Sequence, residues 1–208
     1  MATTDVLTQA EAARALGLTT ASQTADTLNR LDLLTTAVSN ELDRLCGAVV
    51  QRAESDNLDG GGFFVWTQRR PVANVTSLVE YAATTATTLT SSSNTSQPAT
   101  GFQFDEQGKV WRRNGNGDSY FPEGRRNVVI GYTAGRYTHT TASDAGMATF
   151  KQAAALILRD CWQNGNGMGT DTYGGGDESG AFITLGPELL NRVKGLLFRE
   201  MEAPVVAG

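Results

Sequence analysis

Apolar residues recur every three or four positions in four stretches of the chain, and each such stretch predicts a helix. Between 25 and 46 they fall at Leu28, Leu31, Leu34, Val38, Leu42 and Leu45, a continuous face on a helix roughly 33 Å long. Thr24 is placed to cap its start, and Asp26 sits near the positive end of the helix dipole. Gly47 is a natural stop, although the pattern runs on through Val49 to Ala53. A shorter helix is expected over 5–16, where Leu7, Ala10 and Leu16 give a thin stripe that needs a partner. Residues 145–163 place Met147, Phe150, Ala154, Ile157, Leu158 and Cys161 on one face, closed by Trp162. The last helix, 187–201, opens on Pro187, which suits a first helical turn, and buries Leu189, Leu190, Val193, Leu196 and Leu197.

The middle of the chain changes period. Phe63-Phe64-Val65-Trp66 is a short aromatic and β-branched run, and Val72–Tyr81 alternates, with Val75, Ser77, Val79 and Tyr81 on one face. Arg69-Arg70-Pro71 separates the two, because proline has no N–H to give to a central strand. Phe102–Phe104 and Lys109–Trp111 flank Asp105-Glu106-Gln107-Gly108, a turn sequence, and so form a hairpin. Asn114–Asp118 reads as a second turn and Asn127–Thr133 as a strand leaving through Ala134-Gly135. Glu54–Gly62 reads as a polar loop, 82–101 as a Thr/Ser-rich tract or hairpin end, and 164–180 as a glycine-rich loop. The expected fold is therefore α+β: a mainly helical bundle (about 5–16, 25–46, 145–163 and 187–201) with a small antiparallel β insertion over about 62–133. One domain over 1–208 is expected, with 202–208 as a C-terminal tail.

Composition narrows the function. The 208 residues are 40% hydrophobic and 19% charged, with 23 glycines, a globular balance with long polar loops. No stretch nears 18 apolar residues, so no membrane partner is expected. The N-terminus carries Asp5 and Glu11 in place of a basic, then apolar, secretion signal. A net charge of −5 lacks the footprint of a free-standing nucleic-acid binder, although Arg69-Arg70, Arg112-Arg113 and Arg125-Arg126 are local basic pairs. Cys46 and Cys161 fall in helical patterns and read as buried free thiols in a reducing setting.

Candidate chemistry is sparse. The single histidine, His139, stands in a Thr-rich loop and, with two distant cysteines, does not make a zinc set. Gly165–Gly176 is glycine-rich but has no Gly-Lys-Ser/Thr to reach a phosphate. Asn114-x-Asn116-x-Asp118 imitates a calcium loop, yet the sixth position is Ser119 and the twelfth Arg125. Two glycosylation sequons, at Asn74 and Asn94, have no use without secretion. No catalytic residue, metal or cofactor is expected, and the chain reads as non-enzymatic. Phe63, Phe64 and Trp66 either pack against the helices or serve a subunit interface, since aromatic residues are enriched in both places.

Four features in order resemble the head–tail connector (adaptor, or head-completion) proteins of tailed bacteriophages. They are the N-terminal helical region with its long helix; the strand entry Arg70-Pro71-Val72-Ala73-Asn74-Val75-Thr76-Ser77-Leu78; the strand exit Val128-Val129-Ile130-Gly131-Tyr132-Thr133-Ala134-Gly135; and a helix ending at Trp162, a glycine-rich loop and the closing Leu185-Gly186-Pro187-Glu188-Leu189-Leu190 helix. The tract at 82–101, the long loop after Asn164, and Ser143-Asp144 where the family often has a proline are departures. The resemblance implies a structural virion protein at the head–tail neck, made in the host cytoplasm. It implies a ring of twelve copies between portal and tail that extends the channel for double-stranded DNA without binding it specifically. Implied partners are the portal protein, the next neck or tail-completion protein and like subunits. Ala203, Pro204, Val205 and Val206 are expected at a contact with a neighbouring ring; a frayed terminus is the alternative. A tail-completion or adhesion protein, in which the Thr/Ser/Gly-rich β block does the work, is the rival function.

Overall fold

The computed structural model describes residues 4–91, 101–115, 117–138, 145–164 and 186–201. The chain divides into two compact units, a helical one from 1–50 and 137–208 and a sheet unit from 51–136.

In the helical unit, α1 (Gln9–Ala15) begins later than the apolar pattern suggests because Thr8 caps it. The Thr8 hydroxyl accepts from Glu11 N at 3.3 Å, and Glu11 Oε2 accepts from Thr8 N at 2.9 Å, a reciprocal capping box. A short 3-10 turn (Thr20–Ser22) leads to α2 (Ala25–Cys46), which starts on Thr24 and ends at Gly47 with φ 79°. The predicted boundaries hold to the residue because both ends carry strong caps. Helices α3 (Ala145–Asn164) and α4 (Pro187–Met201) complete the unit. Leu31, Leu34, Val38 and Leu42 of α2 share one core with Met147, Phe150, Ala154, Ile157, Leu158 and Cys161 of α3 and Val193 and Leu197 of α4. At seven residues α1 is too short to persist alone. It is tied to α3 by Lys151 Nζ on Glu11 Oε1 at 2.6 Å and by Arg159 on the Ala15 carbonyl at 2.9 Å.

Among the described residues the sheet unit contains eight strands: β1 (Arg52–Leu58), β2 (Phe64–Trp66), β3 (Val72–Ala82), β4 (Thr85–Ser91), β5 (Gly101–Phe104), β6 (Lys109–Asn114), β7 (Gly117–Asp118) and β8 (Val128–Ala134). They form one sheet in the order β1-β8-β3-β4-β5-β6-β2, with β7 on β6. All ladders are antiparallel except β4–β5, which is parallel. The expectation of a mainly helical bundle with a small antiparallel insertion is therefore wrong: the described residues form an eight-stranded mixed sheet and four α-helices. Two strands were hidden. In β1 only Asp56 is buried and in β4 only Leu89, so neither shows the apolar alternation that marks a half-buried strand. The predicted face of β3 is also wrong. Bulges between Val72 and Asn74 and between Val75 and Ser77 shift the alternation, and the buried positions become Val72, Val75, Leu78 and Glu80, while Ser77 and Tyr81 are exposed.

The sheet curls, bringing its two ends together. Although β1 and β2 lie at opposite ends of the strand order, Gln68 N, just past β2, donates to Asp56 Oδ2 on β1 at 2.8 Å. The β5–β6 hairpin turns on Gly108 at φ 84°, where a Cβ would overlap the Thr67 hydroxyl. Inside the curl lie Val65, Phe102, Val110, Phe121, Ile130 and Tyr132. The buried Glu80 receives two bonds from Arg112, at 2.7 and 2.8 Å. Arg112 also reaches Ser119 Oγ at 2.6 Å. The Glu80 hydrogen bond outweighs partial burial and holds the Arg112 guanidinium charged above its ordinary range.

Candidate interaction surface

Strand β2 is short, aromatic and at the end of the sheet. Its middle residue, Val65, points into the core at 6% exposure, so Phe64 and Trp66 share the opposite face. Register pairs Phe64 with Trp111 and Trp66 with Lys109, which puts Lys109, Trp111 and Arg113 of β6 on that same face. The result is a layer of rings interleaved with cations. Lys109 Nζ lies 4.2 Å from the Phe64 ring centroid, 5.0 Å from Trp111 and 5.7 Å from Trp66. The Arg70 guanidinium lies 4.6 Å from Trp66. Phe63 stacks on Tyr120 at 3.8 Å. Phe63, Phe64 and Tyr120 are 40%, 42% and 59% exposed, a cluster that single scattered surface apolar residues do not make.

Within the aromatic run Val65 packs into the core of the sheet unit, while Phe63 and Phe64 face solvent. Lys109, Trp111, Arg70 and Tyr120 went unrecognised as their companions. The alternation Lys109-Val110-Trp111-Arg112-Arg113 held the signal, but only the β2–β6 register shows which of its members meet Phe64 and Trp66. Ala203, Pro204, Val205 and Val206 lie outside the described residues, as does His139.

The described residues offer little for catalysis. They contain no group of three His, Cys, Asp or Glu able to hold a metal. Cys46 and Cys161 are buried and form no disulfide, and burial beside Asp160 pushes the Cys161 thiol up to about 11, far from a reactive thiolate. At the imitation calcium loop, Asp118 is occupied by Arg113 at 2.6 Å, and Arg113 and Asn114 of β6 pair with Asp118 and Gly117 of β7. No described helix is long and apolar enough to cross a membrane.

No protein-family model matches the chain, and no curated protein does. Solved structures do match its fold. A chain in the neck of an empty gene transfer agent particle, computed with sixfold symmetry, aligns over 98% of this chain and 93% of its own at 22% identity and a TM-score of 0.57. A chain of the native gene transfer agent virion aligns over the same shares at 20% identity and a TM-score of 0.57. A chain in the native particle's neck, computed with twelvefold symmetry, aligns over 100% and 99% at 18% identity and a TM-score of 0.52. The chain thus shares its fold, along its whole length, with components of a gene transfer agent neck, in agreement with the resemblance to head–tail connectors.

Proposed function

We propose that the chain is a structural, non-enzymatic subunit of a virion neck, assembled as a ring of twelve copies between portal and tail. The observation that carries this is the end-to-end fold likeness to gene transfer agent neck chains. The order of connector-like motifs supports it independently. In this reading the ring continues the path of double-stranded DNA out of the capsid and offers a platform to the next neck or tail-completion protein. Phe63, Phe64 and Trp66 supply one contact surface of the subunit, and Ala203, Pro204, Val205 and Val206 supply the contact with the portal.

The test is co-expression with the portal protein of the same virion, read by negative-stain imaging and native mass. A twelvefold annulus on the portal is expected. Deleting 203–208 is expected to release the annulus from the portal while leaving each subunit folded. A trimer, a chain that ignores the portal, or turnover of a substrate would overturn the reading, and portal attachment unchanged by the deletion would remove the tail from it.

A further inference from the structure

The bonds holding β2 to β6 use alternate residues. The Phe63 carbonyl accepts from Arg112 N at 3.0 Å, and Thr67 N donates to the Gly108 carbonyl at 2.9 Å. In an antiparallel ladder of this register, the main-chain N–H and C=O groups of the intervening Phe64 and Trp66 point away from β6. Those groups have no hydrogen-bond partner among the described residues, because β2 ends the sheet and no ladder joins it to β1. An unpaired edge of this kind is a template for an added strand.

The side chains around this edge specify what fits. Arg70 and Lys109 form no ion pair with a carboxylate among the described residues; both lie over aromatic rings. The other cations nearby are satisfied: Arg69 by Glu54, Arg112 by Glu80 and Arg113 by Asp118. Two cations without a carboxylate partner among the described residues therefore flank an unpaired main-chain edge, on a chain whose net charge is −5. Single-stranded nucleic acid also favours rings and cations, but it stacks its bases on open ring faces. Here Lys109 and Arg70 already cover faces of Phe64 and Trp66.

We propose that the β2 edge docks an extended acidic segment of a partner chain. The segment adds as a strand, its main chain bonded to Phe64 and Trp66 and its carboxylates paired with Arg70 and Lys109. This rests on the reading of Phe64 and Trp66 as interface residues and not on the neck itself. Ring assembly with no peptide binding would sink the strand addition alone, and peptide binding without a ring would sink the neck alone.

The full chain carrying Trp162→Phe leaves Trp66 and Trp111 as its emitters, since the protein has three tryptophans. It is titrated with a blocked seven-residue peptide of alternating Glu and Thr, and a saturable change in emission is expected. Lys109→Glu is expected to weaken binding roughly tenfold, the scale of one lost charge-assisted contact. Lys109→Gln, which keeps much of the stem, is expected to weaken it less, and Arg70→Glu with Lys109→Glu to abolish it. Circular dichroism verifies that each variant is folded. Methylating alternate amides of the peptide is expected to abolish binding, because an added strand needs those N–H groups. The proposal is overturned if the Glu/Thr peptide does not bind, if its Lys/Thr counterpart or the methylated peptide binds as well, or if a thymidine oligonucleotide binds more tightly.

Discussion

Tyr132 shows how one hydroxyl closes the curled sheet. Its side chain is 1% exposed, its oxygen donates to Asp56 Oδ2 at 2.8 Å and accepts from Arg69 N at 3.1 Å. Asp56 also accepts from Gln68 N, so a strand at one end of the sheet and the segment leaving the other are joined through two side chains. Burial pushes the phenol far above its usual value, with Asp56 adding to the effect, so Tyr132 is a neutral donor at any ordinary pH. Tyr132→Phe keeps the ring, takes one of two donors from the buried Asp56 carboxylate and leaves the Arg69 N–H without its acceptor. A loss of about 1–3 kcal/mol is expected in urea unfolding, with secondary structure retained; no loss would mean that water replaces the hydroxyl freely. The strand around Tyr132 was legible in Asn127–Thr133. The bond to Asp56 was not, because Asp56 lies in a strand whose polar alternation looks like a loop.

At the scale of elements, legibility followed how much apolar surface each one buries. Helix α2 buries a full stripe and carries caps at both ends, so pattern and caps agree on its limits. Strands β1 and β4 expose most of their side chains, and their place is fixed by main-chain ladders to β8 and β3 that no composition rule reveals. Helix α1 is an intermediate case, legible in outline but held by charge. Burial opposes the Glu11 carboxylate, but the bonds from Lys151 and Thr8 outweigh it and hold its pKa below the ordinary carboxylate value. A lowered folded pKa means the stabilisation is complete above the unfolded value near 4.5 and is lost as pH falls through the folded value. With both side chains partly solvated, Lys151→Met is expected to cost about 0.5–1 kcal/mol at pH 7. That difference from the parent should shrink as pH falls below about 4.5, where Glu11 takes up its proton. Thermal unfolding from pH 7 to pH 3 checks this, and a difference that stays constant would assign the effect to packing of the lysine stem.

Across the whole molecule the charge is divided as sharply as the fold. Residues 51–136 hold nine Lys and Arg against eight Asp and Glu, so the sheet unit is +1 and the helical unit carries −6. Within the local basic pairs, three members are already engaged: Arg69, Arg112 and Arg113 each face a carboxylate within 4 Å. A protein that grips duplex DNA gains affinity steeply as salt falls, because its cations release condensed counterions. Twelve copies of this chain would instead bring a formal charge of about −60 near the duplex. In the neck reading that charge lets the genome slide past and not adhere. Assembled rings are therefore expected to leave linear duplex DNA unretained in gel-shift and filter-binding assays, with no gain between about 200 mM and 50 mM salt, a range over which a protein with six to ten phosphate contacts tightens by about 10³–10⁵. Retention that strengthens at low salt would mean that the ring gathers Arg125, Arg126 and their copies into a phosphate-binding surface, and the ring's part in DNA passage would then be to hold the duplex and not to let it slip.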